Sequence, residues 1–304
     1  MQTKIMIATL AGVALLASSC KLDDPKNELN INETTNNLII PADPAEEVAV
    51  QGECAYSYNF DLVSGKVAVS TSDLNLNNGK ASFTTSAMPF KLYYYGNKRI
   101  YSFNGGNGQM AGSMAGKQVS GLNGVLSEEF FLLLTNFTIY PIGSMQQMPI
   151  MEYKAGDYTI KTFASDSYFR GKTETTYPGK GGMKTYATED PVYRIYMSQD
   201  FKKANVVIYN VRFAEEMPHP LQAVVLEGLE LKFDRNGYTV TGADIVPKMW
   251  ESNGLTPNED RTFDSFRFSI TNGNMATAEC EYVCAKVFNG KFSGRCVPSL
   301  SEEK

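Results

Sequence analysis

Histidine, tryptophan and basic charge are scarce in this 304-residue sequence. The single histidine, His219, excludes a metal site with several imidazole ligands and disfavours histidine-dependent catalysis. The 28 basic residues are outnumbered by 33 acidic ones, which gives a net charge of -5. That balance argues against a nucleic-acid partner, because nucleic-acid affinity comes from basic surface. We therefore expect no metal, no cofactor and no nucleic acid.

An uncharged apolar run covers residues 5–17, after Lys4. It is shorter than the roughly 20 residues that a membrane-spanning helix needs, and it has the length of a signal-peptide core. The residues that follow, Leu16-Ala17-Ser18-Ser19-Cys20, resemble a bacterial lipobox. The resemblance implies a signal peptide over 1–19 and a lipid on Cys20 that anchors the protein to a membrane. The alternative is an ordinary secretory signal that ends near a cysteine.

A short acidic cluster, Lys21-Leu22-Asp23-Asp24, follows Cys20. It resembles the surface-export signal of Bacteroidetes lipoproteins, which implies an outer-membrane location and exposure at the cell surface. The alternative is the solvated start of a tether. Residues 21–50 are rich in Asn, Asp, Glu, Thr and Pro, so we expect a lipidated flexible tether over 20–50.

Polar and apolar residues alternate with a period of two through the rest of the chain, as in Val207, Tyr209 and Val211. This alternation predicts strands with one buried face. Asn-Gly pairs, which suit tight hairpin turns, punctuate the sequence. A two-residue turn at Asn236-Gly237 would place Phe233 opposite Val240. We predict an all-β protein of two antiparallel β modules, built as sandwiches or barrels.

The predicted modules are separated by a stretch rich in Lys, Thr and Gly at 165–190. It is interpreted as an interdomain linker, with one long mobile loop as the alternative. The linker leaves an N-terminal β module over 51–164 and a C-terminal one over 191–304.

Two segments of the C-terminal module carry a resemblance: NVVIYNVRFAEEMP (Asn205–Pro218) and NGYTVTGADIVP (Asn236–Pro247). They resemble the calycin-like domain of uncharacterised Bacteroides lipoproteins. The resemblance implies a lipocalin-like β-barrel for an unknown ligand, and it transfers no catalytic residue.

Four cysteines remain after Cys20, in a compartment where disulfides are permitted. A three-residue loop at 289–291 would set Phe288 against Phe292, and Cys284 against Cys296. We therefore predict a Cys284–Cys296 cross-strand disulfide, which leaves Cys54 and Cys280 as a candidate long-range pair.

Candidate binding residues are aromatic. Tyr93, Tyr94 and Tyr95 place rings on both faces of one strand, where exposed rings could stack on sugars or peptides. Trp250 lies in a loop-like stretch and is a second candidate.

These features favour a non-catalytic cell-envelope lipoprotein that binds or adheres to an unknown glycan, lipid or protein. One alternative is a carrier that holds a small lipophilic ligand in a barrel pocket. The other is a glycan hydrolase with two distant carboxylates. A filled core favours the first function, and a deep apolar cavity favours the carrier.

Overall fold

The computed structural model describes residues 28–76, 79–95, 98–105, 113–114, 117–128, 150–164, 166–251, 254–272 and 276–297. Strands account for most of them, and the one helix in these ranges is a short 3-10 turn at Glu259–Arg261. The strands of the first half are β1 (Glu28–Pro41), β2 (Ala49–Asp61), β3 (Lys66–Leu76), β4 (Gly79–Thr84), β5 (Met88–Tyr95), β6 (Lys98–Asn104), β7 (Ser113–Met114), β8 (Lys117–Glu128), β9 (Ile150–Ala155) and β10 (Tyr158–Phe163). Those of the second half are β11 (Asp166–Gly179), β12 (Gly182–Thr188), β13 (Val192–Met197), β14 (Lys203–Val211), β15 (Leu221–Phe233), β16 (Gly237–Ile245), β17 (Lys248–Glu251), β18 (Gly254–Pro257), β19 (Phe263–Thr271), β20 (Thr277–Cys284) and β21 (Phe288–Val297).

The first half forms a closed antiparallel barrel, hereafter the first barrel. Its wall runs in chain order through β1, β2, β3, β5, β6, β8, β9 and β10, and β10 pairs back onto β1. β4 and β7 lie off this ring, against β3 and β8. Each strand of the wall therefore neighbours the next one along the chain, which is the up-and-down arrangement.

The second half repeats this plan and forms the second barrel. Its wall runs through β11, β13, β14, β15, β16, β19, β20 and β21, and β21 pairs back onto β11. The β12 strand and the β17–β18 hairpin lie outside the ring. The predicted all-β class is confirmed, and both modules are closed eight-stranded barrels rather than sandwiches.

Two expected boundaries are wrong. The expected tether over 20–50 includes β1, which is a wall strand paired with both β2 and β10. The expected linker over 165–190 consists mostly of β11 and β12, and β11 is the strand that closes the second barrel. In both segments polar residues alternate with residues that enter the core, such as Ile31 and Ile39 in β1. Both segments are rich in polar residues, so their composition predicted a tether and a linker instead of strands.

The two barrels pack against each other through the outer wall of the first. Leu38, Ile40 and Phe163 are buried in the same apolar cluster as the interior of the second barrel. The ring of Phe163 lies 5.3 Å from that of Phe233 and 5.7 Å from that of Tyr238, between ring centroids. The contact is therefore at the β15–β16 end of the second barrel.

The hairpin registers differ from those that the Asn-Gly pairs predict. Phe233 pairs with Tyr238 rather than Val240, because the turn consists of residues 234–236 and not of Asn236-Gly237. The Oδ1 atom of Asp234 accepts hydrogen bonds from the backbone nitrogens of Asn236 and Gly237 and so closes this turn. The pair Asn289-Gly290 lies inside β21 and makes no turn. A Cβ atom on Gly290 would lie 1.9 Å from Cζ of Tyr282, so this glycine serves the close approach of an aromatic ring.

Candidate functional site

The four cysteines after Cys20 are all buried, and the structure holds them as thiols. The last hairpin turns at residues 285–287, where Ala285 and Lys286 adopt positive φ. Cys284 therefore pairs with Phe288, and Cys280 pairs with Phe292. Cys296 lies eight residues beyond Phe288 along β21, which is about 26 Å at the rise of a strand. The predicted Cys284–Cys296 disulfide is wrong, because the register on which it rested does not form.

The candidate pair Cys54–Cys280 is also wrong. Cys54 belongs to the core of the first barrel and Cys280 to the core of the second. Burial raises the pKa of Cys280, and it raises the pKa values of Cys284 and Cys296 to about 12. Thiols with raised pKa values are poor nucleophiles and poor metal ligands. Among the described residues, no three His, Cys, Asp or Glu side chains are grouped as a metal site requires.

The predicted aromatic candidates do not form one site. Tyr93 and Tyr94 are exposed near the end of β5, and the backbone of Tyr95 continues the same strand. Trp250 is half-buried in the β17–β18 hairpin of the second barrel, where it pairs with Leu255. It lies in a strand, not in the loop-like stretch that the sequence indicated. Cys20 lies outside the described residues.

The interior of the first barrel is filled by large side chains. Tyr56, Tyr58, Phe60, Tyr101 and Tyr153 are each exposed by 1% or less. The hydroxyl of Tyr56 donates to Oδ1 of Asn37 over 2.9 Å, so the hydroxyl of Tyr153, 2.7 Å away, donates to Tyr56. This relay satisfies two buried hydroxyl groups inside the core. It leaves the centre of the barrel occupied by protein.

A carboxyl group that the sequence did not single out lies at the edge of this interior. Glu33 pairs with Tyr56 in the β1–β2 ladder and is half-buried. Burial raises the pKa of Glu33 to about 8, because an ionised carboxylate loses hydration there. Burial also raises the pKa of Tyr58, and the charge of Glu33 adds to that rise. Near neutral pH the Glu33 carboxyl is therefore largely protonated.

The interior of the second barrel is also filled. Aromatic rings pack in series across it, and the ring of Phe292 lies 4.3 Å from that of Tyr193 and 5.8 Å from that of Phe268. Phe213 and Phe263 are fully buried in the same cluster. A lipophilic ligand would have to displace these side chains to enter.

A groove with neutral hydroxyl groups lies on the outer wall of the first barrel. It has a volume of about 490 Å³ and crosses β2, β3 and β4. Its lining consists of Ala55, Ser57, Ser70, Thr71, Ser72, Ser82, Phe83 and Thr84. We call this feature the hydroxyl groove. None of these lining residues is charged.

The strand register aligns hydroxyl groups across the hydroxyl groove. Ser57 pairs with Ser70, and Ser70 pairs with Thr84, so three hydroxyl side chains form one row across three strands. Neighbouring members of such a row are about 4.8 Å apart. The hydroxyl of Ser57 also donates to Oδ1 of Asn32 over 2.7 Å. Phe83, buried beneath, provides an apolar floor.

Two other grooves differ in chemistry because their linings are charged. One, of about 430 Å³, lies over β11 and β21 and includes Arg170, Glu189 and Arg295. The other, of about 790 Å³, lies between β15 and β16 and includes Lys203 and Glu227. Glu227 is bound by Lys248, with the nitrogen and oxygen 2.7 Å apart. The charges in these grooves are of both signs.

A buried ion pair lies on the outer wall of the second barrel. The Nε atom of Arg194 donates to Oδ1 of Asp166 over 2.8 Å, and Nη2 donates to Oδ2. The rings of Tyr168 and Tyr196 lie 5.5 Å and 5.6 Å from the guanidinium carbon. Arg194 is fully buried, and Asp166 raises its pKa against the opposing effect of burial. This pair joins the first residue of β11 to β13.

The hydroxyl groove could not be found from a local sequence pattern. Its hydroxyl row, Ser57, Ser70 and Thr84, occupies outward positions of alternating strands, where charged side chains are common. The signal is the succession of Ser and Thr at those positions in three neighbouring strands. That signal needs the strand order, which the sequence alone did not supply.

Comparison with known proteins adds little. No protein-family model matches the chain, and no curated protein matches it. Among solved structures, the chain is similar to a double mutant of transferrin binding protein B from Haemophilus parasuis Hp5. The identity is 8%, the TM-score is 0.25, and the match covers 90% of this chain and 76% of that chain. By its own strand order, the chain is a two-barrel, all-β protein.

Proposed function

We propose that this protein is a non-catalytic lipoprotein of the cell envelope that binds a neutral saccharide in the hydroxyl groove. Cys20 would carry the lipid, and the two barrels would be held at the outer membrane with the first barrel's outer wall available to the ligand. The calycin-like type and the Bacteroides-type origin belong to the same proposal. The up-and-down order of eight strands in each barrel supports the calycin-like type, because lipocalins share it.

The observation that carries the proposal is the combination of filled barrels with a neutral polar groove outside them. Hydroxyl groups both donate and accept hydrogen bonds, as do the hydroxyl groups of a sugar. The row of Ser57, Ser70 and Thr84 offers such groups at regular spacing. A charged ligand would find no opposite charge among the lining residues. The volume lies in the range of small-molecule sites.

The filled interiors weigh against the carrier function. Tyr56 and Tyr153 occupy the centre of the first barrel, and Phe268 and Phe292 occupy that of the second. The described lining of the hydroxyl groove also includes no carboxylate, which weighs against a glycan hydrolase acting there. Binding without catalysis is the function that the groove supports best.

A glycan array with the mature chain tests this proposal, followed by calorimetry on the strongest hits. We expect neutral saccharides among the hits. Ser70→Gln should weaken binding at least tenfold, because a longer side chain fills the middle of the row. Ser269→Gln is the matched control, since Ser269 is also a half-buried serine on an outer wall, in β19. Binding confined to charged ligands, or equal loss in both variants, would contradict the proposal.

A further inference from the structure

Exposed apolar side chains are concentrated at one end of the first barrel. Of the nine large exposed hydrophobic residues described, five lie there: Leu62, Val63, Leu92, Tyr93 and Tyr94. Val63 is 72% exposed and Tyr94 is 68% exposed. Single exposed apolar residues need no explanation, but a group of this kind marks an interaction surface. We call this group the apolar rim.

The strand register brings the two parts of the apolar rim together. Asp61 pairs with Lys66 and closes the turn that carries Leu62 and Val63. β5 pairs with β3 only at Pro89 and Met88, so the rest of β5 continues past the end of β3. The backbone nitrogen of Phe90 donates to the carbonyl oxygen of Gly65 over 2.9 Å, which ties β5 to the turn. The three exposed residues of β5 therefore lie past the end of β3, beside the turn, in the part of β5 that is still paired with β6.

The turn is held in a fixed shape by its own acidic residue. Oδ1 of Asp61 accepts hydrogen bonds from the backbone nitrogens of Val63 and Ser64, over 3.0 Å and 3.1 Å. The hydroxyl of Ser64 donates to Oδ2 of Asp61. These bonds are the pattern of an Asx turn. They present the two apolar side chains outward instead of allowing them to fold back.

The chain enters the first barrel at the same end. Glu28, the first residue of β1, pairs with Asp61. Cys20 precedes Glu28 by eight residues, which reach at most about 28 Å when fully extended. A lipid on Cys20 would therefore hold the end that carries Leu62 and Val63 close to the bilayer. The longer spacer that the sequence suggested would not impose this orientation.

We propose that the apolar rim is a membrane-docking surface that rests in the headgroup region of the bilayer to which Cys20 is anchored. Tyrosine is favoured at the membrane–water interface, where its ring is apolar and its hydroxyl reaches water. Lys66 and Lys91 are exposed next to the rim and suit anionic headgroups. Docking would fix the orientation of the barrels and turn the hydroxyl groove sideways to the membrane. The lipid anchor on Cys20 sets the orientation of the docked protein, the affinity of the apolar rim for the bilayer does not depend on that anchor, and neither depends on saccharide binding.

Vesicle flotation tests the surface without the anchor. The mature chain from residue 20 carries Cys20→Ala and is mixed with vesicles of phosphatidylcholine and phosphatidylglycerol. We expect part of this protein to float with the vesicles. The floating fraction of the double variant Val63→Ser/Tyr94→Ser should be at least fivefold smaller. The control Met183→Ser/Val246→Ser removes two exposed apolar residues of the second barrel and should float like the parent.

Fluorescence quenching by brominated lipids gives a second measurement, on the lipidated protein in the same vesicles. A tryptophan introduced by Tyr94→Trp should be quenched, whereas the native Trp250 on the second barrel should not. Three results would overturn the proposal: no flotation of the parent, equal loss in both double variants, or no quenching at position 94. Dimerisation of the parent that the Val63/Tyr94 variant abolishes, without flotation, would assign the rim to a second copy instead.

Discussion

The guanidinium of Arg235 joins the two barrels: its Nη1 atom donates to the carbonyl oxygen of Pro41 over 2.7 Å. Its Nη2 atom donates to the carbonyl oxygens of Asp43 and Glu46, over 2.9 Å and 3.3 Å. Arg235 lies in the turn between β15 and β16, and its acceptors are the last residue of β1 and two residues that follow it. A single side chain of the second barrel thus binds the segment that leaves the first strand of the first barrel.

Removal of that side chain should weaken the docking of the barrels. We expect Arg235→Ala to lower the free energy of unfolding by about 1–2 kcal/mol, because charge-assisted bonds at a half-buried site are lost. Chemical denaturation followed by tyrosine fluorescence and circular dichroism measures the change. Arg267→Ala, at an exposed position of β19, is the control and should change stability by less than about 0.5 kcal/mol. Equal effects of the two substitutions would contradict the role of Arg235.

Glu33 should make stability depend on pH. Its pKa is raised by burial to about 8 in the folded state, above the value of 4.5 for an unperturbed Glu. The folded state therefore binds the proton more tightly, and this contribution is complete below about pH 4.5 and lost as pH rises through 8. In the parent, the free energy of unfolding should therefore fall by about 1–2 kcal/mol between pH 4.5 and pH 8, a figure set below the full effect of the pKa shift because Glu33 is partly solvated. Glu33→Gln should remove this fall.

Denaturation curves at pH 5, 7 and 9 measure this dependence. The control is Glu279→Gln, at an exposed position of β20, which should leave the pH profile unchanged. A profile of Glu33→Gln that matches the parent at all three values would show that this carboxyl is well solvated in the folded protein.

The four buried cysteines should behave as shielded thiols under oxidising conditions. We expect slow reaction with an aromatic disulfide reagent at pH 8 and complete, rapid reaction after denaturation. The reason is that Cys284 and Cys296 combine burial with pKa values raised to about 12. Peptide mapping without reductant is the second readout, and a Cys284–Cys296 linkage there would contradict the observed register.

The two tyrosines of the hydrogen-bond relay in the first barrel, Tyr56 and Tyr153, should contribute unequally to the free energy of unfolding. Tyr153→Phe removes one donor and should cost about 1 kcal/mol, whereas Tyr56→Phe also leaves Oδ1 of Asn37 without its donor and should cost about 2–3 kcal/mol. Thermal unfolding of both variants and of the double variant measures the coupling. Equal and additive costs would show that the two hydroxyl groups do not act in series.

The fold class was predictable because alternation of period two persists in strands such as β19 and β20. The strand at β1 was missed because most of its residues before Leu38 are polar, even where Thr35 and Asn37 are buried. The register of the last hairpin was missed for a different reason. Asn289-Gly290 has the composition of a turn, but Gly290 is required by the ring of Tyr282, and the turn is made by Ala285 and Lys286 in positive φ.

The candidate site was less accessible to prediction than the fold. Tyr93 and Tyr94 are both exposed because they lie on β5 past the end of β3, whereas the sequence predicted only that the three tyrosines place rings on both faces of a strand. The hydroxyl groove forms because β3 pairs with β2 on one side and with β4 on the other. Its outermost hydroxyl residues, Ser57 and Thr84, are 27 positions apart in the sequence. No local pattern encodes that arrangement.

The central claim is that ligand binds on the outer wall of the first barrel while both interiors stay filled. Amide chemical shifts measured by NMR during titration with the strongest neutral saccharide test it most directly. The claim predicts the largest shifts at Ser57, Ser70 and Thr84, with the amides of the second barrel unchanged. Shifts concentrated around Tyr153 or Phe292, inside the barrels, would contradict it and favour a carrier.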